Sequence, residues 1–122
     1  MQSERVEDTS LGEPLEFLGS LWSLVHALDK RSKWMATRHG VTGPQRMAVR
    51  LVGRIPGITA GALAKRLRLH PSTVTGVLQR LEDRGFVARA KDTSDGRRAM
   101  LVLTRDGRAI DRTREGTIES AV

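Results

Sequence analysis

The run His70-Pro71-Ser72-Thr73-Val74-Thr75-Gly76-Val77-Leu78-Gln79-Arg80-Leu81-Glu82-Asp83-Arg84-Gly85 has little freedom in what it can become. Pro71 suits the first position of a helix, where a missing N–H costs nothing, and Gly85 is a stop signal. Between them Val74, Val77, Leu78 and Leu81 fall at i, i+3, i+4 and i+7, one apolar stripe of a helix. The opposite face carries Ser72, Thr73, Thr75, Gly76, Gln79 and Arg80. A face built only for solvation favours Glu and Lys pairs, which support the helix and keep it soluble. Short hydrogen-bonding groups with one long cation suit a helix that lies close against another surface and bonds to it. A DNA groove is such a surface.

The preceding residues supply a support for that helix. Thr42-Gly43-Pro44-Gln45 has the spacing of a capping box, and Met47, Ala48, Leu51, Val52 and Ile55 form the apolar face of a short helix that Pro56 ends. Arg46, Arg50 and Arg54 lie along another face. Thr59 is the cap expected for the next helix, through Ala62, Leu63, Ala64 and Leu67, with Lys65, Arg66 and Arg68 outside. A short helix, a tight turn and a helix with a polar outer face make a helix-turn-helix. Helical hairpins are common and most bind no DNA, so the residues that follow decide the reading. Phe86 to Lys91 reads as a strand, Asp92 to Arg98 as a polar turn, and Ala99 to Thr104 as a second strand. A hairpin with a basic tip after the second helix makes a winged helix-turn-helix.

Long helices flank this unit. From Pro14 to about His39, Leu18, Leu21, Trp22, Val25 and Leu28 keep one stripe, extended by Phe17, Trp34 and Met35, with Gly40 as the stop. Thr104 caps a last helix expected to run through Ile110, Thr117, Ile118, Ala121 and Val122, with its pattern unfinished at the end, as if either the chain were cut short or the partner surface ended early. The first stripe is broader than a chain of this size readily covers by itself. It packs either on the domain's own core or against a second copy; the matching excess at the far end favours the second copy. The organisation expected is therefore a disordered lead-in (1–13), an N-terminal dimerisation helix (14–40), a winged helix-turn-helix (41–104) and a C-terminal dimerisation helix (105–122). The fold class is mainly α (α+β), with a two-stranded β wing.

Charge follows this division. Residues 1–40 hold five Lys/Arg against six Asp/Glu, and residues 41–122 hold sixteen against eight. A basic half that coincides with the proposed groove-facing helix suggests a polyanionic partner. The competing reading is a soluble domain that is Arg-rich through a high-GC genome, but that reading does not explain where the charges sit. The absence of cysteine excludes disulfides and thiolate zinc sites. With no apolar run of membrane-spanning length and a polar, acidic start at Met1–Glu13, the expected location is the cytoplasm.

Residues Arg89-x-x-Asp92-x-x-Asp95-Gly96-Arg97-Arg98, followed by Leu101-x-Leu103-Thr104-x-x-Gly107, resemble the wing of the MarR (multiple antibiotic resistance regulator) transcription factors. Leu63-Ala64-x-x-Leu67, Ser72-Thr73-Val74-Thr75 and Leu81-Glu82-x-x-Gly85 also match that family, and the resemblance covers about Val41 to Gly107. It implies a homodimer, held by its first and last helices, that binds a palindromic operator in double-stranded DNA as a repressor. It also implies that Ser72, Thr73, Thr75, Gly76, Gln79 and Arg80 face the major groove. There Gln79 suits an adenine edge, Arg80 a guanine or a phosphate, and the Thr75 methyl a thymine. In the wing, Gly96 permits the turn and Asp95 pairs with an arginine. Arg97 is the residue for a narrow minor groove, with Arg98 and Lys91 on phosphate. Thr59, Lys65, Arg68 and Arg84 add backbone contacts.

Many relatives release DNA when a small aromatic or phenolic anion binds between the dimerisation and DNA-binding lobes. Trp22, His26, Trp34, His39, Arg46 and Arg50 are candidates for such a ligand by type and position; the simpler reading makes the tryptophans core, the histidines surface and the arginines phosphate contacts or solvated charges. No cofactor or metal is expected: His26, His39 and His70 fall on different elements with no metal-ligand spacing, and no catalytic motif is present. The chain is therefore read as a non-enzyme. The main alternative to operator recognition is a winged helix used only for protein–protein association.

Overall fold

A computed structural model describes residues 12–91, 99–114 and 117–119. Along the chain it places α1 (Gly12–Arg38), α2 (Gly43–Arg54), α3 (Ala60–Leu67), α4 (Pro71–Asp83), β1 (Val87–Lys91), β2 (Ala99–Leu103) and α5 (Arg105–Arg112). α1 begins two residues ahead of the Pro14 start expected from sequence. Gly12 takes φ +78 there, and Pro14 is tolerated in the first turn because no helical N–H is needed.

Local signals account for most of the boundaries. Gly40 at φ +80 follows α1, and its N–H and that of His39 both donate to the Met35 carbonyl. Thr42 and Gln45 form the complete capping box of α2, the Gln45 Oε1 accepting from the Thr42 N–H at 3.0 Å. Thr59 caps α3, with the Ala62 N–H donating to its Oγ1 at 3.2 Å. β1 and β2 pair antiparallel from Val87 opposite Leu103 to Lys91 opposite Ala99.

One core holds these elements together. Val49 and Val52 of α2, Leu63 of α3, Val74, Leu78 and Leu81 of α4, and Leu101 of β2 are all 1% exposed or less. The α2–α3 link joins the sheet: the Gly57 N–H donates to the Leu101 carbonyl, and the Leu101 N–H to the Ile58 carbonyl, each at 2.9 Å. The Leu-Thr-x-x-Gly sequence has a packing reason. Thr104 Oγ1 donates to the Gly85 carbonyl at 2.5 Å and accepts from the Gly107 N–H at 3.0 Å. A Cβ on Gly107 would stand 2.0 Å from the Phe86 carbonyl oxygen, so only glycine lets α5 turn this close to the strand.

The end of the chain departs from the sequence reading. The pattern carries the last helix to Val122, whereas α5 stops at Arg112 and Thr113 is extended (φ −67°, ψ 129°). The cause is tertiary. Arg46 donates to the carbonyls of Ile110 (2.5 Å) and Thr113 (2.6 Å), filling acceptors at the helix end, and Thr117 and Ile118 return to the interior. Ala121 and Val122, the residues 1–11 of the lead-in, and the wing turn from Asp92 to Arg98 lie outside the described residues.

Candidate nucleic-acid interface

α4 presents the face that its sequence suggests. With Val74, Val77, Leu78 and Leu81 buried, Ser72, Thr73, Thr75, Gln79 and Arg80 are exposed and Gly76 is half-buried. Thr75 Oγ1 donates to the Pro71 carbonyl at 3.0 Å, which leaves its methyl as the group to offer outward. Gln79 Nε2 donates to Asp83 Oδ1 at 2.9 Å, so one of its donors is held in the helix while its carbonyl oxygen stays available. A Cβ on Gly76 would meet no atom closer than Arg80 Nη1 at 3.9 Å. The fold itself does not require glycine at this position.

The start of α4 has a cap that sequence reasoning missed. His70 Nδ1 accepts the Ser72 N–H at 3.1 Å and lies 2.8 Å from Ser72 Oγ. Histidine is not among the usual capping residues, so only its place before Pro71 could have pointed to it. The wing is braced to the helix by Arg89 Nε on Glu82 Oε1 at 3.0 Å, and Lys91 at the end of β1 is exposed. Asp95, Arg97 and Arg98 belong to the turn outside the described residues.

The expected backbone-contact residues divide. Lys65 and Arg68 are exposed, and Arg68 ends α3 in the left-handed conformation at φ 57°. The Thr59 hydroxyl is engaged as a cap. The Arg84 guanidinium donates to the Gly40 carbonyl and lies over the Phe86 ring at 5.2 Å, tying α4's end to the end of α1.

The six residues named for a ligand fall into separate pairs rather than one site. Trp22, 67% exposed, and His26 lie with Lys30 on the open surface of α1. Trp34 packs edge-on to His39 at 5.6 Å, with Arg31 and Arg38 over its ring. Arg46 is 1% exposed, and Arg50 pairs with Asp111 at 2.9 Å. In the simpler reading two points differ: neither tryptophan is core in this chain, and Arg46 is not a solvated charge. Burial pushes the Glu119 carboxyl up, but hydrogen bonds from Arg46, its own backbone and Thr117, together with the Arg46 charge, outweigh this and lower its pKa to about 2. An apolar cavity of about 260 Å³ lies elsewhere, between α1 and α2, lined by Leu28, Ser32, Pro44, Met47, Leu69 and Ile118 among others. Among the described residues no three His, Asp or Glu side chains gather to hold a metal, and no helix is long and apolar enough to cross a membrane.

The MarR family model matches residues 41–99, the span from just ahead of α2 to the first residue of β2. The chain belongs to the MarR family. Members of this family are transcriptional regulators rather than enzymes. The chain is 34% identical over 82 residues to the HTH-type transcriptional repressor Rv2887 of Mycobacterium tuberculosis, covering 67% of this chain and 59% of that protein. It thus spans about three fifths of the length of the curated relatives it matches first. Its fold is similar to Streptococcus pneumoniae FabT in complex with DNA (TM-score 0.65, 28% identity, 80% of this chain and 68% of that one). It is also similar to Rv2887 in complex with salicylic acid (TM-score 0.61, 29% identity, 95% and 82%).

Proposed function

We propose that this MarR-family chain is a cytoplasmic repressor that binds a palindromic operator as a homodimer through α4 and the wing. The observation that carries the reading is the exposed, small-polar outer face of α4 beside a hairpin that ends in basic residues. Ser72, Thr73, Thr75, Gly76, Gln79 and Arg80 read the major groove, and Lys91, Asp95, Arg97 and Arg98 form the minor-groove and phosphate-binding wing. Thr59, Lys65, Arg68 and Arg84 line the backbone contact, Thr59 and Arg84 by holding α3 and the end of α4 in place. The FabT–DNA complex supports the partner, and the name of Rv2887 supports repression.

The second copy packs on α1, where Leu15, Phe17, Leu18, Leu21, Trp22, Leu24 and Val25 are 37–67% exposed. A small aromatic anion is the releasing ligand in this reading, supported by the salicylic acid complex of Rv2887. The cavity between α1 and α2 offers the apolar walls that an aromatic ring needs. Trp22, His26, Trp34 and His39 line its route only if the partner copy brings them to it.

A titration of a promoter duplex against salt tests the DNA reading. The logarithm of the affinity should fall linearly with that of salt, with a slope of about −0.9 per neutralised phosphate. A flat response removes DNA as the partner and leaves the protein–protein alternative. At fixed salt, Arg97→Ala should lower affinity by roughly tenfold or more with the fold intact, because a narrow minor groove concentrates negative potential at the inserted cation.

A further inference from the structure

Arg46 is the most completely engaged charged side chain among the described residues. Its Nε and Nη2 donate to the two oxygens of Glu119 at 3.1 and 2.9 Å, a bidentate pair. Nη1 reaches the Ile110 carbonyl at 2.5 Å, and Nη2 also reaches the Thr113 carbonyl at 2.6 Å. Arg50, one turn on, holds Asp111 at 2.9 Å and approaches Glu119 at 3.5 Å. Two arginines of α2 thus take the last turn of α5 and the residues beyond it.

The place where this happens is a junction of three chain segments. One turn before Arg46, the Gly43 N–H donates to Ser32 Oγ of α1 at 2.7 Å. A Cβ on Gly43 would stand 3.1 Å from the Ile118 side chain, so segment 117–119 packs at the same point. α1 therefore meets α2 and the segment after α5 within one helical turn, and α1 carries the exposed apolar stripe. The other end of α2 reaches the wing's base: a Cβ on Gly53 would stand 2.9 Å from Leu103.

Stability alone is a weak reason for such a cluster. Well-packed apolar residues often stabilise a fold as much as a buried ion pair does. A guanidinium differs in direction: its N–H groups leave in a fixed fork, so the acceptors it binds are held at fixed angles.

We propose that Arg46 is a positioning residue for DNA binding, clamping Thr113 and Glu119 onto the α1–α2 junction and thereby setting the spacing of the two recognition helices in the dimer. This rests on the dimeric DNA-binding reading above. Arg46 touches no DNA; it acts through the angle between α1 and the DNA-binding helices.

The test uses the whole chain with Glu119→Ala and, separately, Arg46→Met. The probes are the tightest duplex that the unaltered chain selects from a random library, and the same duplex with one half-site scrambled. Glu119→Ala should keep its melting temperature within a few degrees. It should lose about tenfold in affinity for the two-half-site duplex, because only the second contact depends on spacing, and keep its affinity for the single half-site. Amide exchange should rise at Thr113 and in residues 117–119 while α3 and α4 stay protected. Arg46→Met should show the same ratio of affinities on a less stable fold. Equal weakening on both duplexes, or unchanged exchange at Thr113 and in 117–119, overturns the proposal. If the unaltered chain selects no duplex, the DNA-binding reading falls and the positioning role falls with it, while the exchange data still decide whether the clamp holds the segment.

Discussion

α1 and α4 are both helices with an apolar stripe, and the two stripes meet opposite fates. In α4, Val74, Val77, Leu78 and Leu81 are all 8% exposed or less. In α1, only Met35 is buried, while Phe17 and Trp22 are each 67% exposed. Periodicity states that a face wants to leave water; it does not state what covers it. The exposed faces differ in the same sense. The outer face of α4 holds short groups that suit a close approach, whereas the stripe of α1 holds bulky groups that suit burial against a second helix. In the reading proposed here, one helix is completed by its own chain and exposes a surface for DNA, and the other is completed by a second copy.

Several substitutions can break or sharpen this contrast. The largest effect belongs to the covered stripe: Leu78→Ala should cost roughly 2–5 kcal/mol in denaturant unfolding, since the site is fully enclosed. A loss well below that range means that α4 is less firmly held than its burial states. Leu21→Asp, on the uncovered stripe, should leave a folded monomer in sedimentation and reduce affinity for a two-half-site duplex by about a hundredfold. A variant that still dimerises moves the partner surface off α1. Gly76→Ala should raise helix stability by about 1 kcal/mol, the propensity difference, because a Cβ there meets nothing closer than Arg80 Nη1 at 3.9 Å. The added methyl should weaken operator binding by roughly tenfold if the helix seats closely, as overpacking costs on the order of 1–3 kcal/mol; unchanged binding places Gly76 away from the bases.

The smallest effect concerns acid. The Glu119 pKa is lowered from 4.5 to about 2 in the folded chain, so its charged form is favoured by folding. Its contribution is fully present above pH 4.5 and is lost as pH falls from there towards 2. Because Glu119 is 43% exposed, solvent screens the effect. Urea midpoints of the unaltered chain should fall across that window more steeply than those of Glu119→Gln.

Much of this molecule was legible in sequence because its signals are local. Thr42, Thr59 and Thr104 announce caps, Gly40 and Gly85 announce stops, and Leu101 to Gly107 follows a pattern whose glycine has a steric cause. The exceptions are non-local. The end of α5 depends on a guanidinium 64 residues earlier in the chain. No window around Arg112 contains that donor, so the apolar pattern through Thr117 and Ile118 reads as a continuing helix. For the same reason Arg46 and Arg50 looked available to a ligand: arginines at helical spacing carry no mark of the carboxylates that a later segment brings to them. His70 was missed for a different reason, since its capping role lies in an acceptor nitrogen that composition rules assign to other residue types.

The paired amides of Gly57, Ile58 and Leu101 have a mechanical consequence. They stitch the middle of β2 to the link just before α3, while Arg89 and Glu82 brace the same hairpin against α4. In the DNA-binding reading proposed here, the strand and the helix beside it act like the two jaws of a caliper set at one opening. A duplex whose grooves are wider or narrower than that opening cannot be met by swinging one jaw. In that reading a mismatched duplex bends to fit, and the energy of the bend becomes part of how one sequence is told from another.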